Sequence, residues 1–364
     1  MTLKGDFKRS SSARKKTFIL VFCFGISLAS FYLVKQMRKS AFREANLSSI
    51  QKNIHIAVDC KVFDVSGRLI RSLPHYQCIF LEDGKVVTTD TPFTEDFGVK
   101  FWNTDGNLIW KKPIVVHHTI NLCRDNSAVA VITSQNKMID GKNTRGDGFT
   151  ILDLNGNTLY NWNVFDHYHE LDPILHFIRE PVLHWEMMKK YFAPEEITHA
   201  NSIYEIPDNS LSDKIGAFKK GNFIVSNLAQ HLVILSSQLN DVLWISKKKY
   251  MSHDVKVLEN GNVLLFDNNY PSSEKARILE INPIDESVVW SYRGEAGLNA
   301  PIAGSVAQEN GFLAVTGNPD LKHVSLINRE GETIFSFGGE SISKTGIFRL
   351  QILKHDGFLK HQLQ

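Results

Sequence analysis

Alternating apolar and polar residues, in short runs separated by polar turns, fill most of the chain after about residue 53. In one kind of run, an Asp, Asn or Gly turn leads into a strand that ends in an aromatic residue, as in FWNTDGNLIW (Phe101–Trp110) and ILDLNGNTLYNW (Ile151–Trp162). In the other kind, the turn is Asp-Gly or Asn-Gly, as in IFLEDGKVVTTD (Ile79–Asp90). Alternation with a period of two around a turn that tolerates positive φ predicts a β-hairpin in each case.

The two kinds of hairpin alternate, so that one pair makes a unit of four strands. A period of roughly 40 to 50 residues with four strands is typical of a β-propeller. About six units are readable, the last of which need not be complete, and the chain is predicted to be an all-β propeller of six four-stranded blades. A β-sandwich or two small β domains is the alternative, but neither needs an aromatic residue at the strand end in every repeat.

One segment, residues 163–197, breaks this pattern because it is helix-prone and longer than a turn requires. The apolar positions with helical spacing are Leu171, Ile174, Phe177 and Ile178. Pro181 is expected to end or kink the helix, because proline lacks the amide proton that a helix interior needs. A long insertion on one face of a repeat protein often shapes a binding surface, so this helical insertion is predicted to border one.

The N-terminus predicts a transmembrane helix that anchors the protein. Residues 1–16 carry six basic residues against one acid, and residues 17–34 contain no charge. About 18 mostly apolar residues is the lower limit for a helix that spans a bilayer. The greater basic excess on the N-terminal side predicts a cytoplasmic N-terminus, a stalk over residues 35–52 and a propeller domain over residues 53–364 on the periplasmic or extracellular side. A cleaved signal peptide is the rival interpretation.

The net charge and the cysteine content each exclude one class of protein. The formal net charge is +2 with much of the basic excess at the N-terminus, so the remainder has no electrostatic footprint for nucleic acid. Outside the anchor, Cys60, Cys78 and Cys123 form an odd set, which excludes a full disulfide framework. A Cys60–Cys78 bridge between neighbouring strands, in an oxidising compartment, and three buried thiols are both open alternatives.

Three histidines occur at matching points, just before the second hairpin of a unit: His118 in VHHTINL, His199 in THANSIYEI and His253 in SHDVKVL. Equivalent positions in the blades of a propeller face a shared central channel, so these side chains are expected to meet. Imidazole is a nucleophile and a general acid or base near neutral pH, and several donors aimed at one point stabilise an anionic transition state. The alternative is that each histidine only closes its hairpin by bonding a backbone group.

Other chemistry has less support in the sequence. The insertion contains His167, His169 and Asp172, but their spacing matches no zinc signature and a solvated helix end explains them more simply. No metal or other cofactor is therefore expected. The chain contains no GxxxxGK[ST], GxSxG or GxGxxG motif, so a phosphate-binding loop, a serine hydrolase and a dinucleotide-binding fold are unsupported.

At these histidines the sequence resembles the bacterial arylsulfate sulfotransferase family, whose members are six-bladed propellers. The matching stretches are HHTINLCRDN (His117–Asn126), THANSIYEIP with GNFIVSNLAQHLVIL (Thr198–Leu235), SHDVKVLENGNVLLFDNN (Ser252–Asn269) and IAGSVAQENGFLAVTGN (Ile302–Asn318). The resemblance covers most of the chain between Cys60 and Phe348. Its most specific part is HANS, followed by a hairpin and then HDVKVLENGNVLLFDN.

The resemblance implies sulfuryl transfer from an aryl sulfate or other sulfate ester to a phenolic or glycan hydroxyl, without a nucleotide sulfate donor. His253 matches the nucleophile, which would carry the sulfuryl group during ping-pong turnover. His118 and His199 match histidines that bind the oxyanion. Asn201 lies beside His199 in the same motif.

One position departs from the family pattern. The family has an arginine on the strand after HANS, and Leu228 falls at that position in this chain. Loss of a guanidinium removes a strong oxyanion contact, which His231 or a residue of another blade would have to replace. Two alternatives to an enzyme follow. One is a non-catalytic propeller that binds a glycan or protein partner in its central funnel, and the other is a membrane-tethered assembly protein.

Overall fold

The computed structural model describes residues 54–182, 185–269, 275–294, 298–309, 311–317, 322–339, 342 and 347–353. The predicted basic tail, membrane anchor and stalk (residues 1–16, 17–34 and 35–52) lie outside the described residues. Within the described ranges, no helix has both the length and the apolar character to cross a membrane.

Six mainly antiparallel sheets form a six-bladed propeller, and each blade has four main strands, as the hairpin pattern predicted. The first blade contains β1 (His55–Val58), β2 (Lys61–Phe63), β3 (Leu69–Ser72) and β26 (Leu350–Leu353). The second contains β4 (Gln77–Phe80), β5 (Val86–Asp90), β6 (Gly98–Trp102) and β7 (Leu108–Lys112). The third contains β8 (Val116–Cys123), β9 (Ala128–Ile139), β10 (Lys142–Asp153) and β11 (Thr158–Asn163).

The fourth blade contains β14 (Ser202–Glu205), β15 (Phe223–Leu228), β16 (His231–Leu235) and β17 (Val242–Ile245). The fifth contains β18 (Ser252–Val257), β19 (Val263–Asp267), β20 (Arg277–Ile281) and β21 (Val288–Tyr292). The sixth contains β22 (Val306–Glu309), β23 (Phe312–Thr316), β24 (His323–Ile327) and β25 (Thr333–Gly338), so the last unit is a complete blade.

Each blade runs from a buried inner strand to an exposed outer strand. Every residue of β4 and β5 is buried, whereas three of the five residues of β7 are exposed. The first strands of neighbouring blades contact each other, as β8 and β14 do, and so surround the central axis. The middle strands, such as β16 and β19, are short and largely apolar runs because both of their faces are covered.

Apolar side chains fill the space between consecutive blades. Between the third and fourth blades, Phe149 and Trp162 belong to one buried cluster with Phe223 and Val233. Further clusters of the same kind lie between the other consecutive blades from the first to the sixth. The core is therefore a series of layers between blades rather than one central mass.

The recurring aromatic residue also links blades through its polar edge. The indole N–H of Trp110, on β7, donates to the carbonyl of Leu154 in the next blade at 2.9 Å. In the same way, Trp290 on β21 donates to the carbonyl of Arg329 at 2.8 Å. A tryptophan at this position covers apolar surface and satisfies a turn carbonyl of its neighbour, which explains the aromatic repeat.

The insertion is helical, but its boundary and buried face differ from the prediction. A single turn of 3-10 helix (Val164–Asp166) leads into α1 (Tyr168–Leu175). This helix ends because His176 has a φ of +52° and its N–H bonds the carbonyl of Asp172 at 2.8 Å. Leu171 and Leu175 are buried, whereas Ile174 and Ile178 are exposed.

The rest of the insertion adds two short strands and a helical turn to the third blade. These are β12 (Glu180–Pro181), α2 (Trp185–Met188) and β13 (Glu195–Glu196). Pro181 lies in β12 rather than at the end of the helix. Because β13 pairs with β10 in parallel, Glu196 is placed directly beside Arg145.

Cys60 and Cys78 form a disulfide with a Cα–Cα separation of 4.8 Å, and the free Cys123 is buried. Cys60 lies in the turn between β1 and β2, and Cys78 lies on β4. The bridge therefore joins the first blade to the second, which decides between the two alternatives that the cysteine spacing left open.

Candidate functional site

The structure brings the three predicted histidines together. His118 lies near the start of β8, His253 near the start of β18, and His199 three residues before β14, so each stands at the same end of an inner strand. The ring centroid of His118 is 4.8 Å from that of His199 and 5.9 Å from that of His253. A fourth ring, that of His117, lies 4.9 Å from His118.

An amide side chain fixes the orientation and the tautomer of His253. Asn268, just after β19, donates to the carbonyls of Ala300 and Ala303, each at 2.7 Å, so its oxygen faces the histidine. The Nδ1 of His253 lies 2.6 Å from that oxygen and must carry the proton. Nε2 is therefore the lone-pair nitrogen, and it accepts the backbone N–H of Ala303 at 3.1 Å.

A buried carboxylate orients His117 and, through it, His118. Nε2 of His117 lies 2.9 Å from Oδ1 of Asp147, a residue with no exposed surface. Nδ1 of His117 lies 2.6 Å from Nδ1 of His118, so a single proton must lie between these two nitrogens. Among the described residues, none forms a hydrogen bond with Nε2 of His118.

Arg145 and Glu196 complete the polar floor beside His199. Glu196 accepts from Nδ1 of His199 at 3.0 Å and also pairs with Arg145. The Arg145 guanidinium lies 3.3 Å from the Asp147 carboxylate and packs 4.7 Å from the ring centroid of Phe192. One cation thus joins two carboxylates, and each carboxylate orients an imidazole.

Asn201, the remaining candidate residue, lines the cavity, but its amide N–H group bonds the protein backbone. Its Nδ2 donates to the carbonyl of Ser252 at 3.0 Å, which joins the fourth blade to the fifth. Its Oδ1 is buried without a hydrogen-bond partner in the described part of the chain. Asn227 is similar, because its Nδ2 bonds the carbonyl of His199 at 3.0 Å and its Oδ1 is also unsatisfied.

The backbone is strained where His118 enters the site. Its φ is +53°, a left-handed conformation that a non-glycine residue rarely adopts, and the β8–β9 register shifts between Val116 and Ile120. Such conformations cost on the order of 1–3 kcal/mol and cluster at functional sites. Here the irregular backbone lets two consecutive residues, His117 and His118, both place their side chains in the site.

Three of the imidazoles are neutral at pH 7. Burial lowers the pKa of His253 to about 4, although the bond to Asn268 opposes the change. Burial, and then the charge of Arg145, lower the pKa of His117 to about 4 despite Asp147. Burial and the neighbouring rings of His199 and His117 lower the pKa of His118 well below its ordinary value. An anion bound among these rings favours their protonated forms.

The histidines line the floor of a cavity of about 470 Å³ whose walls are mainly apolar. The apolar lining comes from Phe93, Val182, Met188, Phe192, Met251, Ile302 and Phe348. Phe93 and Phe192 meet edge to face with centroids 6.4 Å apart, and the exposed side chain of Ile302 also borders the cavity. Because Val182, Met188 and Phe192 belong to the insertion, the insertion forms part of the cavity wall.

Leu228 and His231 do not lie at the site. Leu228 has no exposed surface and belongs to the apolar cluster between the third and fourth blades. His231 is buried, and its Nδ1 lies 2.8 Å from the carbonyl of Ser246. A guanidinium is nevertheless present among the histidines, because Arg145 of the third blade reaches them.

The metal alternative for the insertion finds no cluster in the described residues. His167 stacks on Trp162 with centroids 5.3 Å apart, and His169 is exposed to solvent. Over the described ranges, no group of three or more His, Cys, Asp or Glu side chains has the arrangement of a metal site.

Sequence reasoning missed Arg145, Asp147, Glu196 and Asn268. The first two lie in the run TRGDGFT of β10, where two charged residues alternate with glycines in the buried part of the strand. A Cβ on Gly146 would lie 2.5 Å from Val164 Cγ1, so the glycine permits close packing. A buried strand that carries Arg-Gly-Asp-Gly is a signal that could have indicated this site.

Comparisons with known proteins give no family for the chain. No protein-family model matches it, and no curated protein sequence matches it. Among solved structures, the crystal structure of BamB from Moraxella catarrhalis is similar with a TM-score of 0.36 and 12% sequence identity, over 77% of this chain and 70% of that chain. The six-bladed architecture is established by the strand pairing of this chain itself.

Proposed function

We propose that the chain transfers a sulfuryl group from an aryl sulfate to a hydroxyl acceptor through a sulfohistidine at His253. The convergence of His118, His199 and His253 at the floor of one apolar cavity is the observation that carries this proposal. The apolar wall suits an aryl group, and the polar floor suits the sulfate. No nucleotide or metal is needed, since an imidazole supplies the nucleophile.

In the first half-reaction, Nε2 of His253 attacks sulfur, the N–S bond forms and the S–O bond to the aryl group breaks. Asn268 holds the proton on Nδ1, which leaves the lone pair on the attacking nitrogen. Because the pKa of His253 is about 4, this lone pair is available at neutral pH. Negative charge spreads over the sulfuryl oxygens as it does in phosphoryl transfer, and the guanidinium of Arg145, which lines the same cavity, can stabilise it.

The disulfide supports the predicted location of the domain. Disulfides persist in oxidising compartments such as the periplasm and the extracellular space. The Cys60–Cys78 bridge therefore agrees with a propeller that is exported and tethered by the apolar segment at residues 17–34.

Labelling of His253 tests the proposed function. The full-length protein is mixed with 4-nitrophenyl sulfate, and intact-mass and peptide analysis measure the addition of one SO3 group. We expect a burst of nitrophenolate and a label on His253 in the wild type, and neither in His253→Ala. His169→Ala is the matched control, because His169 is exposed on the insertion, and it should label as the wild type does. An unlabelled wild type rejects the transferase.

One contact favours a second candidate function, a non-catalytic propeller that binds a glycan or protein in the funnel. The lone pair of His253 is engaged by the N–H of Ala303 at 3.1 Å and must leave it before attack. Loss of one such bond costs only about 1 kcal/mol. If the wild type binds 4-nitrophenyl sulfate or a glycan without any histidine label, the binding function replaces the enzymatic one.

A further inference from the structure

Asp147, His117 and His118 form a continuous hydrogen-bonded chain from the protein interior to the cavity. The carboxylate of Asp147 accepts the N–H of Ala200 at 2.6 Å on one oxygen and contacts His117 at 2.9 Å with the other. His117 then meets His118 at 2.6 Å. His118 lines the cavity, where reacting groups would bind.

The positions of the protons in this hydrogen-bonded series follow from the contacts of its members, beginning at Asp147. A carboxylate oxygen 2.9 Å from Nε2 of His117 requires a proton on that nitrogen, because two lone pairs would otherwise repel. Arg145 also lies 2.9 Å from this nitrogen, but its Nη2 protons reach Ser134 at 3.0 Å and Asp147 at 3.3 Å. Nδ1 of His117 is then a lone pair that accepts the Nδ1–H of His118. Consequently, Nε2 of His118 is a base that faces the cavity.

We propose that Asp147 and His117 are positioning residues of a proton relay that makes His118 the general base for the acceptor hydroxyl. This inference rests on the proposed sulfuryl transfer and concerns its second half-reaction. The acceptor oxygen forms a bond to sulfur while the N–S bond to His253 breaks. The hydroxyl proton moves to Nε2 of His118, the Nδ1 proton of His118 moves to His117, and Asp147 stabilises the resulting imidazolium.

The charges around the relay suit this transient protonation. Burial by itself would raise the pKa of Asp147, but His117 and Arg145 outweigh it and the carboxylate stays ionised. The low pKa of His117 and of His118 keeps both imidazoles neutral before the reaction. The negative sulfuryl group raises the basicity of the rings once it is bound, so the base becomes effective when the acceptor arrives.

Asp147→Asn tests the relay because the new side chain keeps the shape of the old one, while the proton on His117 moves from Nε2 to Nδ1. The asparagine oxygen can still accept from Ala200, while its NH2 group faces His117 and requires a lone pair on Nε2. The shared proton then lies on Nδ1 of His117, and His118 presents an N–H to the cavity instead of a base. The same logic explains how an aspartate-to-asparagine change inactivates a histidine base elsewhere.

We expect Asp147→Asn to slow the labelling of His253 much less than it slows transfer to phenol, since nitrophenolate leaves without a proton. Transfer from the labelled protein to phenol should slow about 10²–10⁴-fold, the usual contribution of a general base. Transfer to 4-nitrophenol, measured at mildly alkaline pH where this phenol is mainly ionised, should slow far less. Asp254→Asn is the matched control, because Asp254 is also buried and accepts from Ser305 and Val306 without contact to His117.

The outcomes separate the relay from the proposed function. Equal slowing of labelling and of both transfers in Asp147→Asn would show a structural role and overturn the relay, as would unchanged transfer to phenol. An unlabelled wild type would instead reject the transferase. Nitrogen NMR of the full chain with ¹⁵N-histidine checks the relay without any activity. The resonances of His118 should show Nδ1–H in the wild type and Nε2–H in Asp147→Asn, and the same tautomer in both would contradict the proposal.

Discussion

Leu228 has no exposed surface and packs among apolar side chains of two blades. The position that the family pattern assigns to an arginine is therefore part of the core in this chain. The guanidinium that reaches the histidines belongs to Arg145, which has Glu196 and Asp147 as ion-pair partners. At the scale of single residues, the cation near the histidines comes from the third blade, whereas the arginine of the family pattern would lie in the fourth.

The buried position of Leu228 predicts that Leu228→Arg will not bring a guanidinium to the histidines. A charge placed in this apolar cluster has no partner, so the free energy of unfolding should fall by more than about 3 kcal/mol. Urea denaturation of the full chain measures the change, and Leu228→Met is the control that keeps an apolar side chain of similar volume, with an expected cost below about 1.5 kcal/mol. A stable Leu228→Arg protein with faster labelling of His253 would show that the position belongs to the site.

The three histidines could be predicted from the sequence because their signal is periodic, and each lies at or just before the start of an inner strand in its own blade. Asp147 and Glu196 could not, because their roles depend on contacts between segments about 50 residues apart, such as the pairing of β10 with β13. Asn268 belongs to the matching stretch SHDVKVLENGNVLLFDNN, but its role needs the turn that presents Ala300 and Ala303. The sequence repeats reveal which positions are equivalent between blades. The residues that orient each histidine differ from blade to blade, so the repeats do not reveal them.

At the scale of secondary-structure elements, the sequence pattern predicted the strands better than it predicted the helix of the insertion. Hairpins were readable because turn residues such as Asp153 bond their own backbone, here the N–H groups of Asn155 and Asn157 at 2.9 and 2.8 Å. The helix of the insertion is only eight residues long, so packing of Leu171 and Leu175 on the blade decides its face. Helices this short depend on tertiary contacts rather than on periodicity.

The disulfide between the first two blades yields a prediction for these elements. A loop of 18 residues is closed by the bridge, and its removal in Cys60→Ala/Cys78→Ala should lower the free energy of unfolding by about 3 kcal/mol. Denaturant unfolding with and without a reducing agent measures the effect. Cys123→Ala, which removes a buried free thiol, should remain as sensitive to the reductant as the wild type, whereas the double variant should be insensitive. A wild type whose stability is unchanged by reduction would contradict the bridge.

At the scale of the whole molecule, the ring is closed by its two ends. β26 pairs with β1, with His55 opposite Leu353, so the C-terminal strand becomes the inner strand of the first blade. The count of repeats predicted six blades, but it did not show which strand completes the first one. The order of the strands can be read from the sequence. The closure of the ring cannot, because it depends on pairing between residues almost 300 positions apart.

Arg349, next to this closing strand, joins several blades at the central axis. Its guanidinium donates to the carbonyl of Ile120 on the third blade at 2.9 Å and to that of Cys78 on the second at 3.3 Å. Its backbone N–H donates to Asp59 in the first blade at 3.0 Å. The side chain is almost completely buried, so no solvent replaces the guanidinium donors if the side chain is changed.

We therefore expect Arg349→Met to lower the free energy of unfolding by about 3–5 kcal/mol, because it leaves several buried acceptors unpaired. Arg68→Met is the matched control: Arg68 is largely exposed and its side chain pairs with Asp64, so its loss should cost below about 1 kcal/mol. Urea unfolding followed by tryptophan fluorescence compares the two. Equal, small losses would mean that strand pairing alone closes the ring. A large loss confined to Arg349→Met would show that the axis holds the blades together, and with them the strands that present the histidines.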